Sequence, residues 1–334
     1  MIDKVSVVTV TYGKRWILLR EVLSSVIDNE LVNDIIVVNN NADDQINPLC
    51  KNLSNKITVI NLNENTGSAN GFHIGISEAV KKDNQYIWLL DDDNKPNNNA
   101  LENLVDNTQK LQSQDQDKGV WGISSLRNDR KELIQAANNF KPKDIFPSEN
   151  SFLGFHILQI PSKILKKVFK KNYSGKRITN KELVQIPLAP YGGFFFNKNL
   201  ISKIGLPNKD FYLYSDDYEF THRVNTHGGN LYLDPNSIVE DLEQSWFVET
   251  KQPYILSLIT SSKVNRIYYG IRNRVYFENK NLVNNFKIYK INKFFFLLII
   301  NILSMFLVKR ERKRLIMRAI RDGENENLGK VDFL

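Results

Sequence analysis

The 334-residue chain has few of the residues that build thiol- or imidazole-based sites. It contains one cysteine, Cys50, and four histidines. One cysteine cannot form an internal disulfide, and this composition excludes a cysteine-rich zinc site, so any bound metal must be held by oxygen atoms. The N-terminus lacks the charged start, apolar stretch and cleavage site of a secretory leader, which predicts a cytoplasmic protein.

Charge is distributed unevenly along the chain. Apolar residues make up 42% and charged residues 25%, which predicts a folded, soluble body. The net charge is +8, yet residues 251–334 alone carry 17 Lys and Arg against 6 Asp and Glu. A nucleic-acid-binding protein more naturally carries its positive charge on the folded body. The basic tail therefore predicts binding to an anionic membrane surface and no binding to nucleic acid.

Four short apolar segments alternate with helical patterns in the first 106 residues. The segments cover residues 5–11, 35–38, 57–61 and 86–90. Strands that alternate with helices predict a mostly parallel sheet covered by helices. Ligands bind beyond the carboxyl ends of such strands, so the polar residues directly after each segment are candidate site residues.

Three consecutive aspartates, Asp91, Asp92 and Asp93, follow the fourth apolar segment. Adjacent carboxylates at the end of a buried strand repel one another unless a cation or solvent relieves the repulsion. In extended backbone, alternate residues share a side, so Asp91 and Asp93 can converge on a hard divalent cation while Asp92 points elsewhere. The alternative is a solvated acidic turn before a helix starting near Asn97, with one aspartate as its cap. These residues alone leave both interpretations open.

An ordered series of motifs resembles the nucleotide-sugar half of the family 2 glycosyltransferases. The motifs are the first strand up to Tyr12, the asparagines at 39–41, the loop at 65–71 and the three aspartates. The resemblance continues through two further segments, at 191–196 and 214–220, and is closest to galactofuranosyltransferases, with rhamnosyltransferases next. It implies the α/β fold called GT-A, with a mostly parallel central sheet.

The resemblance also implies a division of the chain. We expect a catalytic domain over residues 1–250, with a nucleotide-sugar half at 1–106 and an acceptor half at 185–246. A basic, amphipathic helical tail over 251–334 is expected to follow.

By resemblance, the nucleotide-sugar donor is bound by residues at the strand ends and in the glycine-containing loop. These are Thr11, Tyr12, Arg15, Asn39, Asn65, Gly67, Asn70, Asp91 and Asp92. The family usually has aspartate where this chain has Asn39, but an amide can still pair with uracil. Asn39 and its two neighbours also fit a simple polar turn, and the loop at 65–71 a plain helix cap.

The same resemblance implies a Mg²⁺ or Mn²⁺ ion on Asp91 and Asp93. Many family members place a histidine ligand after the apolar run at 235–239, where this chain has Glu240 and Asp241. A carboxylate suits a hard cation as well as imidazole does, so Asp241 is the favoured third ligand, ahead of Glu240.

The catalytic base implied by the family motif is Asp217, with Asp216 as the alternative. A position near a helix N-terminus keeps such a carboxylate ionised. The acceptor is expected to contact Tyr191, Gly192, Gly193 and Asp216. Glu219 and Arg223, four residues apart, are expected to form a structural ion pair.

The tail contains a second apolar feature. Residues 294–308 are apolar except for Asn301 and Ser304, and a basic run follows at 309–314. A helix needs about 20 apolar residues to span a bilayer, so this segment is short for spanning. We expect an interfacial helix, which places the enzyme peripherally on the inner face of the cell membrane. A core helix is the alternative.

The sequence therefore predicts a metal-dependent, inverting glycosyltransferase of cell-envelope glycan synthesis. The expected donor is a UDP-sugar such as UDP-galactofuranose, and the acceptor is a lipid-linked or polysaccharide glycan. A dTDP-rhamnose-dependent enzyme is one alternative. A sugar-phosphate nucleotidyltransferase is less favoured because the segment 11–15 is a poor match to its glycine-rich loop. A non-catalytic membrane-surface adaptor with the same fold is the remaining alternative.

Overall fold

The computed structural model describes residues 4–113, 120–138, 140–142, 145–161, 181–243 and 253–333. The predicted boundaries at 246 and 250 lie outside the described residues. The chain forms two compact units. The first comprises Met1–Pro142, Ile178–Tyr212 and Asp216–Glu249, and the second comprises Lys143–Arg177, Leu213–Ser215 and Thr250–Leu334.

A single mixed sheet forms the centre of the first unit. Its strands are β1 (Val5–Gly13), β2 (Val32–Ala42), β3 (Ile57–Asn61), β4 (Tyr86–Asp91), β5 (Asn94–Pro96), β6 (Trp121–Arg127), β7 (Val184–Gln185), β8 (Phe194–Asn197) and β9 (Asn230–Asp241). The order is β3-β2-β1-β4-β8-β6-β9-β5, with β7 also paired to β9. Strands β3, β2, β1 and β4 are mutually parallel, and β8 lies antiparallel between β4 and β6.

This architecture confirms the predicted fold class and the four predicted strands. The apolar strands β1 and β2 are buried over most of their length, as continuous apolar runs covered on both faces require. Residues 94–96 form a strand that was not predicted, β5, which pairs with β9. The helix of the alternative interpretation, expected to start near Asn97, begins at Ala100.

The helices of the first unit cover both faces of the sheet. They are α1 (Trp16–Val26), α2 (Ile46–Leu53), α3 (Gly67–Val80), α4 (Ala100–Ser113), α5 (Lys131–Ala137), α6 (Leu200–Ile204) and α7 (Asp216–Thr226). Helices α1 and α4 pack with one face of β1, β2 and β4 in a continuous apolar core. Helix α3 covers the opposite face, where a Cβ on Gly71 or Gly75 would lie 2.5 Å from Val10 or Val8. These glycines let the helix approach the strands closely.

The second unit is helical in its described residues. Its helices are α8 (Tyr254–Thr260), α9 (Val264–Asn281), α10 (Phe286–Phe306) and α11 (Arg310–Glu324). The segment 145–161 folds with them, because buried Glu278 accepts hydrogen bonds from the amides of Leu153 and Gly154, at 2.6 and 3.1 Å. Asn292, also buried, donates to the Asn150 carbonyl at 2.8 Å.

Helix α10 is apolar on two faces. One face is buried along the helix and contains Tyr289, Asn292, Phe296, Ile300 and Ser304. The other is exposed and contains Ile291, Phe294, Leu298, Ile302, Met305 and Phe306, which we call the exposed stripe. By length and composition this helix is able to cross a membrane.

Candidate active site

The carboxyl ends of β1 and β4 bring Thr11, Arg15 and two of the three aspartates together. The Thr11 hydroxyl donates to Asp92 Oδ2 at 2.8 Å, and Arg15 Nε lies 2.9 Å from Asp92 Oδ1. A second guanidinium nitrogen of Arg15 contacts Asp93 Oδ2 at 2.6 Å. Burial alone would lower the pKa of Arg15, but Asp92 and its neighbours raise it, so the guanidinium is held charged.

Two other residues predicted to bind the nucleotide-sugar donor, Tyr12 and Asn39, lie beside this network. The ring of Tyr12, which is 42% exposed, has the Arg15 guanidinium 5.4 Å from its centroid. Asn39 uses both ends of its amide locally: it donates to Asn61 Oδ1 and accepts from the Ala42 amide, each at 2.8 Å. An exposed aromatic ring next to a fixed cation offers a stacking surface at this edge of the sheet.

The loop at 65–71 is fixed by side chains rather than left open. Asn65 Oδ1 accepts from the Gly67 amide at 2.9 Å, and buried Asn40 accepts from the Thr66 amide at 2.9 Å. Asn70 donates to the Thr66 hydroxyl at 2.9 Å. The amides of Thr66 and Gly67, at the start of α3, therefore already have acceptors within the protein.

A buried arginine, Arg127, joins the acidic residues at the end of β6. Its guanidinium contacts Asp91 Oδ2 at 3.2 Å and Asp241 Oδ2 at 2.8 Å. It also contacts both oxygens of Asp129, at 3.2 and 3.3 Å. Its side chain is only 2% exposed, and its neighbouring carboxylates offset the cost of burying the charge.

The predicted metal ligands lie around this arginine. Burial, together with Asp91, raises the pKa of Asp93 to about 6, and burial raises that of Asp241 to about 7. Buried Asn94 Oδ1 and Asp241 Oδ1 receive no hydrogen bond from any described residue. Across the described chain, no three Asp, Glu, His or Cys side chains are grouped so as to enclose a metal ion as they stand. The oxygen donors fit Mg²⁺ or Mn²⁺ chemically, while Arg127 holds two of them.

Gly192 lies against the same cluster. A Cβ at this position would lie 1.8 Å from Asn94 Oδ1 and 2.8 Å from Asp91 Oδ2. The next residue, Gly193, has φ +93° and donates from its amide to the Leu89 carbonyl at 2.8 Å. A side chain is therefore excluded at both positions, in the first by the acidic cluster and in the second by the backbone conformation.

The aspartate pair lies at the start of α7. Asp216 is almost fully buried, and burial followed by Asp217 raises its pKa well above the usual range. Asp217 is half-buried and accepts from the Tyr218 amide at 2.8 Å. Burial raises the pKa of Asp217 to about 6, and Arg130, Asp91 and Arg127 also influence it. The charges of Asp91 and Arg127 therefore act on the Asp217 carboxyl. Burial, followed by the charges of Asp216 and Asp217, raises the pKa of buried Tyr191.

Sequence reasoning missed three contributors to this site: Arg127, Asp129 and Asn94. The segment before Arg127, residues 121–126, has one glycine and two serines among its apolar residues, so no continuous apolar run marks Arg127 and Asp129 as following a strand. The expected ion pair of Glu219 and Arg223 is present at 3.1 Å.

The mostly parallel sheet, with its carboxylate cluster at the β1 and β4 ends, defines a GT-A glycosyltransferase fold. In agreement, the structure of GalNAc-T7 with UDP, GalNAc and Mn²⁺ is similar with a TM-score of 0.52 and 15% identity. The similarity covers 82% of this chain and 51% of that one. S. aureus TarS 1–349 matches with a TM-score of 0.45 and 12% identity, over 97% of this chain and 91% of TarS 1–349.

The chain belongs to glycosyl transferase family 2, whose family model matches residues 6–204. Its sequence is also 32% identical over 94 residues to galactofuranosyltransferase GlfT1 of Mycolicibacterium smegmatis. That match spans 28% of this chain and 31% of the mycobacterial protein, so the chain covers about a third of that relative's length.

Proposed function

We propose that this glycosyltransferase is a metal-dependent, inverting enzyme that transfers a sugar from a UDP-sugar to a glycan hydroxyl. UDP-galactofuranose is the favoured donor, and the acceptor is a lipid-linked or polysaccharide glycan of the cell envelope. The observation that supports the proposal is the cluster at the strand ends, where Asp91 and Asp241 converge on Arg127 at 3.2 and 2.8 Å. The charges of Asp91 and Arg127 also act on Asp217, which favours it as the base.

The residues present account for the chemistry of one displacement. Asp217, ionised above its pKa of about 6, takes the proton of the acceptor hydroxyl. The acceptor oxygen forms a bond to the anomeric carbon from one face while the bond to the diphosphate oxygen breaks on the other, which inverts the configuration. The electron pair leaves with the nucleoside diphosphate. Arg15, held charged beside Asp92, favours this anion electrostatically.

The divalent cation would be held by Asp91, Asp93 and Asp241, with Asn94 Oδ1 as a further oxygen donor. When bound, the ion would neutralise charge on the departing diphosphate. Asp92 has a different role, because its side chain is 5% exposed, against 17% for Asp93, and Thr11 and Arg15 hold both of its oxygens. Asp92 therefore positions Arg15 for the donor.

We also assign the exposed stripe of α10 to an anionic membrane surface. The buried face of α10 packs with α8 and α11 along its length, so a spanning helix would draw those elements into the bilayer. Exposed Lys309 and Arg310 follow the end of the helix at Phe306, after Leu307 and Val308. An apolar stripe next to basic residues is typical of a helix that lies in the headgroup region. This placement favours a peripheral enzyme on the inner face of the membrane.

The proposal is tested by screening sugar nucleotides for hydrolysis and for transfer. UDP-galactofuranose, UDP-hexoses and dTDP-rhamnose are compared with Mn²⁺, with Mg²⁺ and with EDTA. We expect release of UDP that requires the cation and is lost in Asp93→Ala. Metal-dependent turnover of dTDP-rhamnose alone would replace the UDP-sugar with the alternative donor. A protein that binds no nucleotide and turns over no donor would be the non-catalytic adaptor.

A further inference from the structure

Arg127 lies in the acidic cluster as a permanent cation. Its guanidinium contacts Asp129, two residues further along the chain, through two nitrogens, at 3.2 and 3.3 Å. With 2% of its side chain exposed, it cannot move out into solvent without breaking this anchor. The other two contacts, to Asp91 Oδ2 and Asp241 Oδ2, reach oxygens on separate strands.

The same cluster contains two buried oxygen atoms without a hydrogen-bond partner among the described residues. They are Asp241 Oδ1 and Asn94 Oδ1. A buried polar atom that lacks a hydrogen-bond partner is destabilising, so binding of a cation to such atoms is favoured. Arg127 donates to one oxygen of Asp241, whose carboxyl also lies against the Asp129 carboxyl. The cluster therefore contains more carboxylate and amide oxygens than Arg127 alone can hydrogen-bond.

A guanidinium and a divalent cation cannot use the same carboxylate oxygen in full. Either the cation takes Asp91 Oδ2 and Asp241 Oδ2 from Arg127, or it binds the remaining oxygens beside a like charge. Both arrangements lower its affinity, the first by loss of two charged hydrogen bonds and the second by repulsion.

We propose that Arg127 is an internal cation that competes with the divalent metal ion for Asp91 and Asp241. It keeps the acidic cluster paired when no metal is bound and lowers the affinity of the free protein for metal. The donor diphosphate adds negative charge beside the cluster, so metal binding becomes favourable when donor and metal arrive together. The proposal depends on the proposed function only in taking Asp91 and Asp241 as metal ligands.

The test measures Mn²⁺ binding by the full chain without nucleotide, from the electron paramagnetic resonance signal of free Mn²⁺. In Arg127→Met, which keeps the length of the side chain and removes its charge, we expect Mn²⁺ to bind at least about tenfold more tightly than in the wild type. Arg130→Met is the matched control, because Arg130 pairs with Asp129 at 3.1 Å and, in the part of the chain that the structure describes, forms no ion pair with Asp91 or Asp241. The control should change the affinity much less.

Removal of Arg127 also leaves carboxylates unpaired, so folding is followed by thermal unfolding with and without Mn²⁺. We expect a larger Mn²⁺-induced rise in Tm for Arg127→Met than for the wild type. If Arg127→Met folds only with Mn²⁺, the ion has replaced the arginine, which supports the proposal. Arg127→Lys keeps the charge and should bind Mn²⁺ less tightly than Arg127→Met.

Three results overturn the proposal. Mn²⁺ affinity in Arg127→Met equal to or below that of the wild type excludes competition, as does a failure of both proteins to bind Mn²⁺. An equal gain of Mn²⁺ affinity in Arg130→Met would show that removal of any positive charge near the cluster raises the affinity. None of these measurements involves sugar transfer, so a wrong donor or base would leave them unaffected.

Discussion

At the scale of single residues, the base assignment gives a direct prediction. Asp217→Asn keeps the side-chain size and the acceptor for the Tyr218 amide but cannot take a proton. We expect sugar transfer to slow about a hundred-fold to ten-thousand-fold, with binding of UDP unchanged. Steady-state kinetics and calorimetry measure the two effects separately. Asp216→Asn is the paired comparison, and near-normal turnover of Asp217→Asn with an inactive Asp216→Asn would move the base to Asp216.

The raised pKa of Asp217 predicts the pH below which kcat/KM begins to fall. Its active form is the carboxylate, and burial places its pKa at about 6. The value of kcat/KM should therefore fall about tenfold per pH unit below pH 6, where an ordinary aspartate would hold activity to near pH 4. Product formation measured between pH 4.5 and pH 8 checks this, at about half-unit steps in buffers of constant ionic strength. A fall in rate only near pH 4 would contradict the assignment of Asp217 as a base with a raised pKa.

The aspartates at 91–93 are singled out by a local rule, their position at a strand end, and those at 216–217 by the family resemblance. The sequence does not predict Arg127, since the polar, proline-interrupted stretch around it shows no clear periodicity. The role of Arg127 arises from strands β4 and β9, which contribute Asp91 and Asp241 from distant parts of the chain. Such convergence depends on sheet order, which local patterns do not specify.

At the scale of elements, the start of α3 depends on the absence of a side chain at Gly67. Gly67 has φ +84°, and a Cβ there would lie 1.9 Å from the Tyr212 carbonyl oxygen. Gly67→Ala should therefore destabilise the protein through both backbone strain and a backbone clash. Gly228→Ala is the matched control, because Gly228 has φ +76° with nothing within 4 Å. We expect about 1 kcal/mol for the control and about 1–3 kcal/mol more for Gly67→Ala, measured by chemical unfolding. Equal losses would contradict the close approach.

The elements themselves differ in how far the sequence predicts them. The strands β1 to β4 carry continuous apolar runs and were expected, because burial on both faces leaves a clear pattern. The segment 145–161 carries no such pattern. Its place in the second unit depends on single polar contacts, such as the bond of the Leu153 amide to Glu278, more than a hundred residues away. Contacts of this kind become visible only in the folded chain.

At the scale of the whole molecule, charge and apolar exposure coincide at the C-terminal end. Residues 251–334 hold the basic excess, and the exposed stripe of α10 lies within them. Each basic residue near an anionic surface contributes about 1 kcal/mol, and salt screens it over about 10 Å. Binding to vesicles that contain phosphatidylglycerol should therefore be strong at low salt, weaken steeply as salt rises and be absent from neutral vesicles.

Substitutions on the exposed stripe separate membrane docking from packing. Phe294, Leu298 and Phe306 are 62%, 42% and 75% exposed, so changing all three to Gln should leave the buried face of α10 intact. We expect unchanged Tm and loss of vesicle flotation, because burial of one such side chain is worth about 1.5–3 kcal/mol. Ile17→Gln is the control, since Ile17 is 71% exposed on α1 in the other unit. Flotation that survives the triple substitution would contradict docking through α10. A fall in Tm with unchanged flotation would instead assign the stripe to packing within the protein.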